Sequence, residues 1–124
     1  PPDKWRDFVD TCRWIEQHTP SDALFLTPRD NVGFKWYAQR AEYLTWKDCP
    51  QDAAGILEWA RRYNRVTRWT GGRSDGPISE AALGEILRDT GVGYILAVGA
   101  ALNRGEPVYA NRTFSVTLIR PARE

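Results

Sequence analysis

At 124 residues, 42% hydrophobic and 12% aromatic, the chain has the length of one domain and enough apolar surface to fold around a core. That composition excludes a disordered tail, and the longest nearly apolar run, Tyr94 to Leu102, is about half the length a membrane span needs. A net charge of +1 argues against a strong nucleic-acid binder, and two cysteines argue against a disulfide-dense mini-protein.

The chain opens Pro1-Pro2-Asp3 without Met, which reads as a piece of a longer protein or a mature form. Trp5, Phe8, Val9, Cys12 and Ile15 then recur at spacings of three and four and predict a helix over 3–18, which Thr19-Pro20 stops. Ala23–Thr27 is a short continuous apolar run, as in a buried parallel strand. A loop follows, then a short helix over Val32–Arg40 and a second strand over Glu42–Trp46. Pro50 suits the first turn of a third helix, about 51–68, whose buried face is Ala53, Ile56, Leu57, Ala60, Tyr63 and Val66. Thr70–Pro77 is rich in turn residues. Ser79 caps a fourth helix with Ala82, Leu83, Ile86 and Leu87 inward, and Gly91 is expected to end it in the left-handed conformation. Val92–Val98 is a third strand. Val108–Ala110 and Thr113–Arg120 form a closing hairpin around Asn111-Arg112. Strands alternating with helices predict an α/β fold, specifically a small three-layer, Rossmann-like domain with parallel first strands and an antiparallel terminal hairpin.

In an open parallel sheet, ligands gather beyond the carboxyl ends of the strands. Two polar clusters fall there, Thr27-Pro28-Arg29-Asp30-Asn31 and Trp46-Lys47-Asp48-Cys49-Pro50. Arg29, Lys47 and Asp48 are therefore expected to share one rim, the candidate ligand site. The alternative is that Lys47 and Asp48 pair with each other or cap a helix. Charge is uneven, with a balance of −3 over residues 1–60 and +4 over residues 61–124. Arg61, Arg62, Arg65, Arg68 and Arg73 run without an intervening acid, and read either as a solvated helix face or as a contact for a partner or membrane headgroups.

No dinucleotide fingerprint, phosphate loop or nucleophile elbow is present. His18 falls at the end of the molecule opposite the rim. Cys12 and Cys49 have no metal-ligand spacing and are expected as buried free thiols. Neither a catalytic residue nor a metal or cofactor site is expected. Six Trp exceed what one small core can hold, and Trp14 and Trp59 lie off the main stripes of their helices, as contact residues or as packing at the sheet edge. Asn111-Arg112-Thr113 is a glycosylation sequon at an accessible turn.

The run from Trp14 to Pro28, read as W-I-x-x-x-T-P-x-D-A-x-F-L-T-P, resembles the opening of C-terminal soluble domains on bacterial polytopic membrane proteins. These include glycosyltransferase-C-like proteins, similar to dolichyl-phosphate-mannose-protein mannosyltransferases, and a related family of unknown function. Phe34, Tyr37, Arg40, Trp46-Lys47-Asp48 and Pro50 are similar to the next block, and Gly91–Tyr94 with Tyr109–Phe114 to the closing hairpin. The resemblance implies a domain that follows a bundle of membrane helices on the extracytoplasmic (periplasmic) side. Its partners would be the rest of that protein and a glycan or lipid-linked sugar. The family's catalytic acid lies in a loop between early membrane helices, so no catalytic residue carries over to this chain. The resulting expectation is a non-catalytic accessory domain. The alternative is a small independent α/β enzyme or ligand-binding protein that uses the same rim.

Overall fold

The computed structural model describes residues 2–29, 31, 33–73 and 75–120. Its elements follow the expected order: α1 (Pro2–His18), β1 (Leu24–Leu26), α2 (Phe34–Ala38), β2 (Ala41–Glu42), α3 (Ala53–Thr70), α4 (Glu80–Asp89), β3 (Tyr94–Val98), β4 (Tyr109–Ala110) and β5 (Phe114–Leu118). The strands form one mixed sheet in the order β2-β1-β3-β5-β4. β1 runs parallel to β2, with Leu24 opposite Ala41, and parallel to β3, with Phe25 opposite Tyr94. β5 is antiparallel to both β3 and β4.

Successive strand residues point to opposite faces, so the central strands feed two cores. Phe25, Leu96, Phe114 and Val116 pack with Phe8, Cys12 and Ile15 of α1 and with Phe34 and Ala38 of α2. Leu26 and Ile95 pack with Val66 and Trp69 of α3 and with Ala82, Leu83 and Ile86 of α4. This explains the continuous apolar reading of β1 and β3, because both of their faces are covered.

Several expected boundaries move. β2 ends at Glu42, not Trp46, and Tyr43 donates its N–H to the Phe25 carbonyl (2.8 Å) as the chain leaves the sheet. α3 starts after Asp52, whose carboxylate accepts the Gly55 N–H (3.0 Å), so Pro50 precedes the helix. The buried face of α3 also turns. Ile56 and Leu57 are exposed (41% and 72%), whereas Trp59 and Tyr63 are half-buried and Val66 and Trp69 are buried. The aromatic residues at spacings of three and four outweigh the smaller aliphatic stripe because they cover more apolar area. α4 ends at Asp89 and is capped by Thr90, whose N–H and hydroxyl both donate to the Ile86 carbonyl (3.1 and 2.7 Å), so the left-handed Gly91 cap is not used. The helix start expected at Val32, and loop residues Asp30 and Ser74, lie outside the described residues.

The hairpin turn does not present its sequon freely. Asn111 is half-buried, and its side-chain amide donates to the Asp7 carbonyl (3.0 Å), Thr11 Oγ1 (2.9 Å) and the Tyr109 hydroxyl (3.1 Å). Its Oδ1 accepts the N–H groups of Thr113 (3.1 Å) and Phe114 (2.9 Å). The residue that shapes the turn also ties it to α1.

Arg40 performs the corresponding task at the far end of α1. Its guanidinium donates to the carbonyls of Glu16 (2.9 Å), Thr19 (2.8 Å) and Gln39 (2.9 Å), and to Thr19 Oγ1 (3.0 Å). A cation at a helix C-terminus satisfies carbonyls that have no intrahelical partner. Arg40→Lys keeps the charge but loses the planar fork. It is expected to cost about 1–2 kcal/mol in urea denaturation, and wild-type stability would show that charge alone suffices.

Candidate functional site

The carboxyl ends of β1 and β2 lie side by side, and a pocket of about 90 Å³ opens there. Three segments build it. Asn31, Gly33, Phe34 and Lys35 come from the loop after β1 and the start of α2; Glu42 ends β2; Thr45, Trp46, Lys47 and Asp48 come from the loop beyond. Gly33 has φ +82, and a Cβ there would stand 3.2 Å from the Tyr37 ring, so a side chain at this position would be strained and crowded. Two indole N–H groups shape the loop after β2. Trp46 Nε1 donates to the Thr27 carbonyl (3.1 Å), and Trp59 Nε1 donates to the Thr45 carbonyl (2.8 Å). The Thr45 hydroxyl donates to the Asp48 carbonyl (3.2 Å) and closes the turn that displays Lys47 and Asp48.

Glu42 is the central group, and sequence reasoning missed it. Its Oε1 accepts from Thr27 Oγ1 (2.8 Å) and Asn31 Nδ2 (3.1 Å), which belong to the polar cluster at the end of β1. Burial pushes its carboxyl above the ordinary value. The two hydrogen bonds and the Lys35 charge oppose that rise, and the Asp48 charge adds to it. An acid opening a strand otherwise made of Tyr, Leu, Thr and Trp was the available signal. The sequence pattern makes it a strand's first residue, whereas β2 ends on it.

A carboxyl raised on folding binds protons more tightly in the native state. Its contribution is complete below the unfolded carboxylate range and is lost as pH climbs through the folded value. At neutral pH the charged Glu42 therefore weakens the fold. Glu42→Gln retains the Oε1 acceptor for Thr27 and Asn31. It is expected to raise the thermal midpoint at neutral pH, with the gain shrinking as acid protonates wild-type Glu42. A midpoint below wild type throughout the pH range would show that the charge is structurally required.

The structure divides the expected rim. Lys47 and Asp48 line the pocket. Arg29 lies beyond Trp46, with its guanidinium over the Trp46 and Tyr63 rings (5.6 and 5.8 Å to the centroids), and donates to the Tyr63 hydroxyl (2.9 Å). Among the described residues no ion pair joins Lys47 to Asp48.

The arginine run faces carboxylates from its own helix, at spacings of three and four, and from α4, which sequence spacing could not locate. Arg61 and Arg62 both pair with Glu58 (2.7 and 3.1 Å). Arg65 reaches across to Glu85 and Asp89 on α4 (3.0 and 3.2 Å), and Arg68 also binds Glu85 (2.5 Å). Arg68 first, and Arg65 with it, hold the Glu85 carboxyl down to about 2. Arg73 donates to the carbonyls of Thr70 and Pro77 (3.2 and 3.3 Å).

The cysteines differ from expectation, because Cys12 is buried but Cys49 is exposed. Burial, and then the nearby Glu42 charge, push the Cys12 thiol up to about 12. Trp14 is half-buried and stacks on His18 and Tyr109, and Trp59 stacks on Tyr63. The exposed indoles are instead Trp5 (50%) and Trp36 (76%), with Tyr37 edge-on to Trp5 at 5.3 Å. Among the described residues, no group of three or more His, Cys, Asp or Glu converges as a metal site requires. No helix among them is long and apolar enough to cross a membrane.

Residues 6–66 match the model of a domain of unknown function, DUF6798. The matched segment runs from the first turns of α1 to Val66 in α3, and it includes the whole lining of the Glu42 pocket. No curated protein and no solved structure matches the chain.

Proposed function

We propose that this chain is a non-catalytic accessory domain of a bacterial multi-span membrane protein, on its extracytoplasmic side. In this reading the Glu42 pocket engages a neutral, hydroxyl-rich ligand such as a glycan or the sugar of a lipid-linked donor. The observation that carries the binding role is Glu42 itself. One carboxylate oxygen is anchored by Thr27 and Asn31, which orients the group within the pocket, and its charge is kept at a cost to stability. Lys35 and Lys47 balance Glu42 and Asp48 in sign, so the lining favours hydroxyls over a free ion. A space of about 90 Å³ takes the edge of a sugar ring rather than a whole ring. The exposed Trp5, Trp36 and Tyr37 beside Lys4 and Lys35 support the membrane-side placement, since amphipathic aromatics and cations favour the headgroup layer. The same reading arranges the domain as a small three-layer, Rossmann-like unit, supported by helix residues in both cores.

Two measurements test it. The whole gene product is expected in the alkali-resistant membrane fraction, with this domain cleaved by protease added from the periplasmic side; recovery in the soluble fraction would overturn the placement. Methyl mannoside titrated into the isotope-labelled domain is expected to shift the amides of residues 31–48, and Glu42→Ala to abolish those shifts. No saturable shift would overturn the binding role. Glu42 and Asp48 line one pocket, and burial first, with the Asp48 charge adding to it, raises the Glu42 carboxyl; this favours one rival, a small enzyme that uses Glu42 as an acid. That reading requires turnover of a glycoside, lost in Glu42→Gln.

A further inference from the structure

A second pocket, of about 240 Å³, lies beyond the carboxyl end of β3, away from the Glu42 pocket. The connector 99–107 folds over the face of β5 that carries Ser115 and Thr117. On that face β1 and β3 are covered by the helical core of α3 and α4, whereas β5 presents hydroxyls. Ser115 is buried and donates to the Gly99 carbonyl (2.5 Å), which leaves its lone pairs as acceptors. Thr117 is half-buried and lines the floor.

The charge of the lining differs from that of the first pocket. It contains Arg104 from the connector and Arg112 from the hairpin turn, and no acidic residue. Their partners, Glu80 for Arg104 (2.6 Å) and Asp3 for Arg112 (3.4 Å), lie outside the lining. Both pairs are exposed, and such pairs exchange at little cost. Guanidinium groups suit phosphate and carboxylate oxygens in bidentate geometry. Gly99 has φ +75 with nothing within 4 Å of where its Cβ would stand, so open space adjoins the backbone there.

We propose that this pocket binds a small hydroxylated anion, a sugar phosphate or sugar acid. Arg104 and Arg112 hold the anionic group, and Ser115 and Thr117 read the hydroxyls. The site is independent of the Glu42 reading, and the two are told apart by which amides respond. The test is an amide chemical-shift titration of the isotope-labelled domain with glucose 6-phosphate, glucuronate, glucose and inorganic phosphate in separate experiments. Saturable shifts confined to residues 99–105 and 111–117 are expected with one or both charged sugars, and whichever binds more tightly names the anion. Glucose and phosphate alone are expected to bind at least about tenfold more weakly, as is either charged sugar in the Arg104→Gln/Arg112→Gln double variant. Thr117→Val, which leaves both arginines in place, is expected to weaken the charged sugar while leaving phosphate unchanged. Unchanged spectra outside the pocket show that the variants fold. The proposal is overturned by the absence of saturable shifts, by shifts spread over all arginine-bearing surfaces, or by binding that survives the double variant.

Discussion

Asn111→Ala is expected to destabilise the domain by about 2–4 kcal/mol. The amide donates to the Asp7 carbonyl, to Thr11 Oγ1 and to the Tyr109 hydroxyl, and Oδ1 accepts two N–H groups of the turn. Thr11 is fully buried but keeps its own bond to the Asp7 carbonyl (2.6 Å), so the group left without a partner is the N–H of the buried Phe114. A buried polar group left unpaired costs its full desolvation, whereas a surface hydrogen bond is nearly neutral to lose. Asn111→Asp is the sharper probe. It retains the acceptor for Thr113 and Phe114 but removes both donor hydrogens and adds a negative charge beside Asp7. It is expected to lose more at neutral pH than Ala and to recover partly in acid. Urea denaturation of the two variants across pH checks this, and loss below about 0.5 kcal/mol for both would show that the hairpin docks on apolar contacts alone.

Phe25→Ala is expected to cost roughly 3–5 kcal/mol. Phe25 sits in β1, between β2 and β3, is fully buried, and packs on the Tyr94 and Phe34 rings at 4.9 and 5.3 Å between centroids. Removing the ring leaves a cavity under both α1 and α2, in a strand of three residues held by neighbours on both sides. Such a site has little freedom to collapse, which places the loss toward the upper end of that range. Phe25→Leu, which keeps most of the volume, is expected to lose less than half as much. The equilibrium urea midpoint measures both, and comparable losses for Ala and Leu would locate the effect in aromatic stacking and not in volume.

These two positions differ in how well the sequence announces them. Phe25 stands in an unbroken apolar run, and a strand buried on both faces is the direct reading of such a run. Asn111 looked like the exposed tip of a hairpin because Asn and Arg between two apolar stretches are turn residues. Its contacts with Asp7 and Thr11 join residues about a hundred positions apart, and no local pattern encodes them. The same holds for Arg65, which sits in a run without acids, while Glu85 and Asp89 reach it from the next helix. Glu42 was overlooked for a related reason. β2 pairs over two residues only, and where a strand leaves its sheet depends on what the loop beyond it can bind. Here the loop is held by the Trp46 and Trp59 indoles, through the carbonyls of Thr27 and Thr45.

The order of the elements among the described residues, the parallel start and antiparallel close of the sheet, and the placement of Lys47 and Asp48 at a strand-end rim follow from hydrophobic periodicity and turn chemistry. Those signals act over a few residues and survive in the linear chain. Tertiary structure alone decided which face of α3 is buried, which indoles remain in water, which carboxylates meet Arg65 and Arg68, and that a half-buried Glu42 stands in the pocket. Each of these is an outcome of competition among distant groups for limited buried volume and limited hydrogen-bond partners.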